Sequence, residues 1–200
     1  MIPGLELSAC QPLAMPAEVM EHVVRVESSF NPWAIGVVGA RLERQPRDLG
    51  EAIATVRALA RAGYDFSIGL AQINRRNLVA QGLDSWEAAF DPCRNLAAGA
   101  RILADCVARG GGDLDRGLSC YYSGNFTRGF RDGYVDRVRR SMAVAATAPG
   151  GRAKRRPPAI AGTSARGLNP AAAPRATWTS APTPAPTPAS PPAPDPAFVF

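Results

Sequence analysis

No run of about 18 apolar residues occurs in this 200-residue chain, so nothing in it reads as a membrane-spanning helix. There is one histidine and no Cys-x-x-Cys pair, which removes the usual ligand spacing of a zinc site. No metal and no cofactor is expected. Alternating apolar and polar runs are nearly absent, so strands are few. Acidic residues are scarce toward the C-terminus: residues 141–200 carry one, against six basic. Residues 1–140 carry 16 acidic and 17 basic, so the net charge of +6 sits mostly in the tail. A nearly neutral folded part lacks the concentrated cationic face that phosphate binding needs, which excludes nucleic acid as the main partner. The opening MIPGLELSAC lacks the basic and long apolar regions of a signal peptide, although Leu7-Ser8-Ala9-Cys10 resembles a lipoprotein cleavage box.

What is present divides the chain in two. Hydrophobic residues make up 46%, enough for a core. Yet 13 of the 19 prolines fall in residues 141–200, among Ala, Thr and Gly. That composition cannot pack and reads as extended, disordered chain. A folded domain is expected over 1–145 and a basic Pro/Ala-rich tail over 146–200. The domain reads as helices separated by strong punctuation. Pro16 opens a helix in which Met20, Val23, Val24 and Glu27 share a face, stopped by Phe30-Asn31-Pro32. Asp48 with Glu51 forms a capping-box variant, and Gly63 ends that helix. Further helices are expected from Gln72 to Gly82, from Asp91-Pro92 to Gly110, and over 114–122 and 132–145. A brief hairpin is possible near 35–42 and 64–68. The fold class is mainly α, at most lysozyme-like α+β with a short hairpin.

Cysteines stand at 10, 93, 106 and 120. They read either as four buried thiols or as two disulfides in an oxidising compartment. Cys93 and Cys106 lie on one expected helix, about 20 Å apart at 1.5 Å per residue. A disulfide needs Cα atoms within about 7 Å, so that pairing is excluded. Cys10 with Cys93 and Cys106 with Cys120 is preferred, because the second closes a short loop between adjacent helices.

Glu27 is an acid on an apolar helix face. The plain reading is a salt-bridged residue at the edge of the stripe. The chemical reading is that desolvation keeps its carboxyl protonated near neutral pH, able to donate to a glycosidic oxygen. Three further segments follow Glu27-Ser28-Ser29-Phe30-Asn31-Pro32-Trp33-Ala34. They are Ser67-Ile68-Gly69-Leu70-Ala71-Gln72-Ile73-Asn74, Cys120-Tyr121-Tyr122-Ser123-Gly124-Asn125 and Tyr134-Val135-Asp136-Arg137-Val138. In this order they resemble the motifs of the soluble lytic transglycosylases, relatives of goose-type lysozyme. Arg44-Gln45-Pro46, Phe66-Ser67-Ile68 and Asp91-Pro92-Cys93-Arg94-Asn95-Leu96 narrow the resemblance to the peptidoglycan-cleaving components of type IV secretion systems.

The resemblance implies a helical domain with a groove for peptidoglycan glycan strands, in the periplasm, beside other secretion-system components. It implies that Glu27 is the catalytic acid/base, cleaving the bond between N-acetylmuramic acid and N-acetylglucosamine to leave a 1,6-anhydromuramyl end. Ordinary glycosidases use two carboxylates. No second acid stands beside these motifs, and Asp65 suits a capping or surface role better. Ser67, Gln72, Asn74, Tyr121, Tyr122 and Tyr134 are the implied substrate-side residues. Capping is the plain alternative for Asn74 and core packing for Tyr121. Tyr134 is expected to hydrogen-bond Glu27, and Gly69 and Gly124 to allow close backbone approach. Two positions depart from the family pattern. Ala71 replaces a methionine, removing apolar groove wall, and Tyr122 replaces an asparagine, removing a substrate-facing amide. A lysozyme-type hydrolase and a non-catalytic wall-binding scaffold are the competing readings.

Overall fold

The computed structural model describes residues 7–10 and 12–147. The expected extended tail lies outside the described residues, except that its first two positions complete the last helix. Among the described residues are seven α-helices and three short strands, and no helix is long and apolar enough to cross a membrane.

Helix α1 (Ala17–Ser28) follows Pro16, whose carbonyl accepts from the N–H groups of Val19 and Met20 at 3.0 and 3.1 Å. The proline is thus the cap residue rather than the first helical one. The helix stops as expected, through two successive left-handed residues, Ser29 (φ 51°) and Phe30 (φ 62°). Helix α2 (Leu49–Arg61) is capped by Asp48, which accepts from Glu51 N–H at 2.8 Å. In a capping box the Glu51 side chain returns to the cap residue's own N–H. Here it accepts from Arg47 N–H at 2.8 Å and from the Arg44 guanidinium. At the far end Gly63 turns left-handed, and paired bonds from Gly63 N–H to Ala60 O and Tyr64 N–H to Leu59 O close the helix.

Strands β1 (Ile35–Val37), β2 (Phe66–Ile68) and β3 (Ile73–Asn74) form one antiparallel sheet in that order. Gly36 stands opposite Ser67, and Ser67 opposite Asn74. The two segments expected to pair do so, but α2 lies between them. The tight hairpin is β2–β3, turning through residues 69–72, so the sheet is larger than the sequence suggests. The helix expected from Gln72 to Gly82 is absent. Ile73 is consumed by the sheet core, and the Asn74 side chain accepts from Arg76 N–H at 3.0 Å, pulling the chain into short 3-10 turns.

Helix α3 (Trp86–Phe90), capped by Ser85, was not anticipated; it has too few residues to show a period. Helix α4 (Pro92–Arg109) begins with Asp91 accepting from Arg94 N–H at 2.8 Å and ends at Gly110. Then come α5 (Leu114–Ser123), α6 (Arg128–Arg131) and α7 (Tyr134–Thr147). The last starts two residues later than expected, because Gly133 at φ 71° breaks it from α6.

Two apolar cores share α4 as their common wall. One joins Met20, Val23 and Val24 of α1 to Leu96 and Leu103 of α4, Leu118 of α5 and Tyr134 and Val138 of α7. The other joins the sheet residues Ile35, Phe66, Ile68 and Ile73 to Ala52 and Val56 of α2, Phe90 of α3 and Ala98 of α4. The hairpin turn straddles them: Leu70 packs in the first core and Ala71 in the second. Both preferred disulfides are present, Cys10–Cys93 and Cys106–Cys120, with Cα separations of 5.0 and 5.6 Å.

Candidate active site

Glu27 stands in the last turn of α1, beside the helical core. Its carboxyl is largely surrounded by protein, and burial pushes its pKa up from 4.5 to about 7. Two weaker influences pull the other way: a hydrogen bond from Tyr134 and the charge of Arg137. The Tyr134 hydroxyl donates to Glu27 Oε1 at 2.6 Å, across 107 residues of sequence. Oε2 accepts no hydrogen bond from the described residues, and Glu27 as a whole is partly exposed. One oxygen is therefore held by Tyr134 and the other is not held by any described residue. Tyr134 itself is fully buried at the start of α7.

A second carboxylate is not among the groups acting on Glu27. Asp65, the acid nearest the motifs in sequence, is ion-paired with Arg76 at 3.0 Å and accepts from the Asn74 amide at 3.1 Å. Asp132, at the end of α6, accepts from Arg131 at 2.9 Å, which holds its carboxyl below the usual range.

The β2–β3 turn is built with little freedom. The fully buried Asn95 of α4 accepts from Ala71 N–H at 2.8 Å and donates to Ile68 O and Ala89 O at 3.0 and 2.9 Å. A Cβ on Gly69 would stand 2.3 Å from the Asn95 amide nitrogen, so only glycine fits there, and its φ is +80°. Gln72, at φ 47°, donates its amide to Ala34 O and Gly69 O at 3.1 and 2.9 Å. That bond ties the turn to the loop that follows α1. Tyr121 closes the ring of contacts, its hydroxyl donating to Ala71 O at 2.6 Å. Burial, then the charge of Glu27, raises the pKa of that phenol, so Tyr121 stands near the acid as well as against the turn.

The structure thus joins Glu27, Tyr134, Tyr121 and Tyr122, with Gln72 linked through the turn. Ser67 is buried in mid-strand and makes no hydrogen bond to Glu27. Asn74 uses both ends of its amide inside the protein, as a cap and as a donor to Asp65. Gly124 supplies the left-handed residue (φ 68°) that ends α5. Ala71 is fully buried, and an added Cβ on Gly99 would stand 2.5 Å from its methyl. It belongs to the interior, so the missing methionine is not a gap in an exposed wall. Tyr122 lies flat on Tyr134, ring centroids 4.8 Å apart and planes 15° apart.

Three contributors lie in the quoted motifs, but the sequence reading gave them no role. Arg137 sits one turn beyond Tyr134, and that i, i+3 spacing was the available signal. Asn95 is a polar residue on a buried helix face. Gln45 pairs its amide with both the N–H and the C=O of Ile35, at 2.8 and 3.0 Å, bracing the edge strand.

A helical domain with a small three-stranded sheet beside it, and one protonatable glutamate at their seam, is lysozyme-like in class. The chain belongs to the transglycosylase SLT domain family, which it matches over residues 8–142. It is 49% identical over 140 residues to the type IV secretion system protein virB1 of Brucella abortus, covering 66% of this chain and 58% of that one. It is 34% identical over 137 residues to protein virB1 of Agrobacterium fabrum, covering 64% and 54%. The match to protein virB1 of Rhizobium radiobacter is 36% over 138 residues, covering 64% and 56%. The chain therefore spans less than three fifths of the length of these relatives. No solved structure matches it at a comparable level.

Proposed function

We propose that this chain is a peptidoglycan lytic transglycosylase in which Glu27 acts first as acid and then as base. The observation that carries the reading is the seam itself: a glutamate with its pKa near 7, one oxygen held by Tyr134, the other accepting no hydrogen bond from the described residues, and no second carboxylate acting on it. Because Tyr134 donates to Oε1, the carboxyl proton belongs on Oε2, the oxygen left for substrate. Glu27 donates this proton to the oxygen linking N-acetylmuramic acid to N-acetylglucosamine. The bond from that oxygen to the muramyl anomeric carbon breaks. The substrate's acetamido group supports the electron-poor anomeric carbon in place of a second protein acid. The Glu27 carboxylate, stabilised at this stage by Tyr134 and Arg137, then removes the proton from the muramyl carbon-6 hydroxyl. Its oxygen bonds to the anomeric carbon, leaving a 1,6-anhydro end and a regenerated carboxylic acid. No water is consumed.

Tyr121 lines the substrate side of this seam, with Gln72 offering an amide oxygen. Residues 1–145 are the catalytic unit in this reading, and the tail is an appendage to it. The two disulfides suit an oxidising compartment, consistent with a periplasmic site of action. The names of the relatives support a role in opening the wall for a type IV secretion apparatus.

Mass spectrometry of digested peptidoglycan tests the chemistry. Anhydro ends, one water lighter than reducing ends, are expected. Reducing ends would make the chain a hydrolase, and no released muropeptide would make it a scaffold. Glu27→Gln is expected to lower release by about 10²–10⁴-fold, the usual contribution of a positioned acid/base.

A further inference from the structure

We infer that Tyr122 is a positioning residue for Glu27, acting by holding the Tyr134 ring in place. The inference rests on the reading of Glu27 as the acid/base.

Tyr121 and Tyr122 are neighbours on α5, so the helix sends their side chains about 100° apart. Tyr121 turns to the hairpin and spends its hydroxyl on Ala71 O. Tyr122 turns to α7 and covers a face of Tyr134 in a near-parallel stack. Such a stacked pair attracts beyond the area it buries. Tyr134 needs that support because of where it sits. It is the first residue of α7, directly after the left-handed Gly133, so no preceding helical turn confines its side chain. The ring's orientation is left to what packs on it. The first core surrounds it, Tyr122 covers one ring face, and the Arg137 guanidinium lies 5.8 Å from the ring centroid.

The hydroxyl at the far end of this ring makes the protein's hydrogen bond to Glu27, at 2.6 Å. A small tilt of the ring moves that hydroxyl most. A misplacement of about 1 Å in catalytic geometry costs on the order of 10²-fold in rate. The stack needs the ring of Tyr122 and not its hydroxyl. In place of the amide of the family pattern, this chain has an aromatic plate that works through its neighbour.

The test uses the whole chain, soluble uncrosslinked glycan strands, and tyrosine labelled with ¹³C at the ring carbon bearing the hydroxyl. In the parent, the Tyr134 resonance should titrate together with Glu27, near pH 7. Tyr122→Phe keeps the plate, so kcat within about twofold of the parent and an unchanged Tyr134 titration are expected. Tyr122→Leu fills the space without stacking. It should lower kcat by roughly 10–100-fold with KM within threefold, and weaken the Tyr134 titration. Tyr122→Ala should do the same, and thermal melting of both variants separates this loss from unfolding. The inference is overturned if Tyr122→Leu and Tyr122→Ala keep parental kcat. It is equally overturned if they lose activity through KM alone, which would make Tyr122 a substrate wall, or if kcat falls while the Tyr134 titration is intact. Failure of the Glu27 reading is visible separately, as an active Glu27→Gln, and the Tyr134 resonance still reports on the stack in that case.

Discussion

Glu27 binds its proton more tightly in the folded chain, at about 7, than the ordinary value of 4.5 that it returns to on unfolding. Its contribution to stability is therefore fully present below about pH 4.5 and is lost as the pH rises through 7. Glu27→Gln removes that loss while keeping an oxygen for Tyr134 to donate to. The variant should melt above the parent at pH 8, by on the order of 2–3 kcal/mol, and have little advantage at pH 5. Calorimetric melts across this range check it; an unchanged difference would mean that Glu27 is not the titrating group. The activity should follow the same proton. With the acid form required, kcat/KM is expected to fall above about pH 7, with a descending limb set by Glu27. A limb that stays flat to pH 9 would reject the assignment.

At the scale of elements, the β2–β3 turn is held by one side chain from a helix. Asn95 satisfies Ala71 N–H, Ile68 O and Ala89 O with no exposure to water. Asn95→Ala would leave these groups unpaired in the interior, and a loss of about 2–4 kcal/mol in denaturant unfolding is expected. Gly99 tells the complementary story on the same helix. Its missing Cβ admits the Ala71 methyl, so Gly99→Ala should destabilise by about 1–3 kcal/mol through overpacking. Both changes act on the turn that carries Gln72. Activity should therefore fall more than stability alone explains, measured well below the melting temperature.

Across the whole molecule, the two disulfides tie distant parts of the first core. Cys10–Cys93 joins the N-terminal 3-10 turn to α4 across 83 residues, and Cys106–Cys120 joins α4 to α5 across 14. On a chain-entropy estimate they contribute roughly 4–5 and 3 kcal/mol, a large share of the stability of a domain this size. Melting with and without reductant should differ by well over 10 °C. The pair Cys106→Ala with Cys120→Ala should account for the smaller part of the difference. Equal melting temperatures in both conditions would show that the bridges are not formed in the native protein.

The sequence by itself determined the helices α1, α2 and α4, because each carries its own start and stop: Pro16, Asp48 and Asp91 before them, and a glycine or an Asn-Pro turn after. The cysteine pairings were narrowed from three to two, since a helix keeps Cys93 and Cys106 too far apart to bond, and the short loop between Cys106 and Cys120 favoured the one observed. Glu27 was legible as an acid in the wrong place on an apolar stripe. Tertiary structure alone decided the rest. Ile73-Asn74 became a strand because β2 lay ready to pair with it, and a two-residue segment has no period to announce that. Tyr134 reaches Glu27 across 107 residues, a contact that the family resemblance implied and that no local pattern could show, and Tyr122 reaches Tyr134 because α5 and α7 pack side by side. Local sequence states which residues can form a helix or hold a proton. Only packing between distant helices sets the 2.6 Å contact that orients the Glu27 carboxyl.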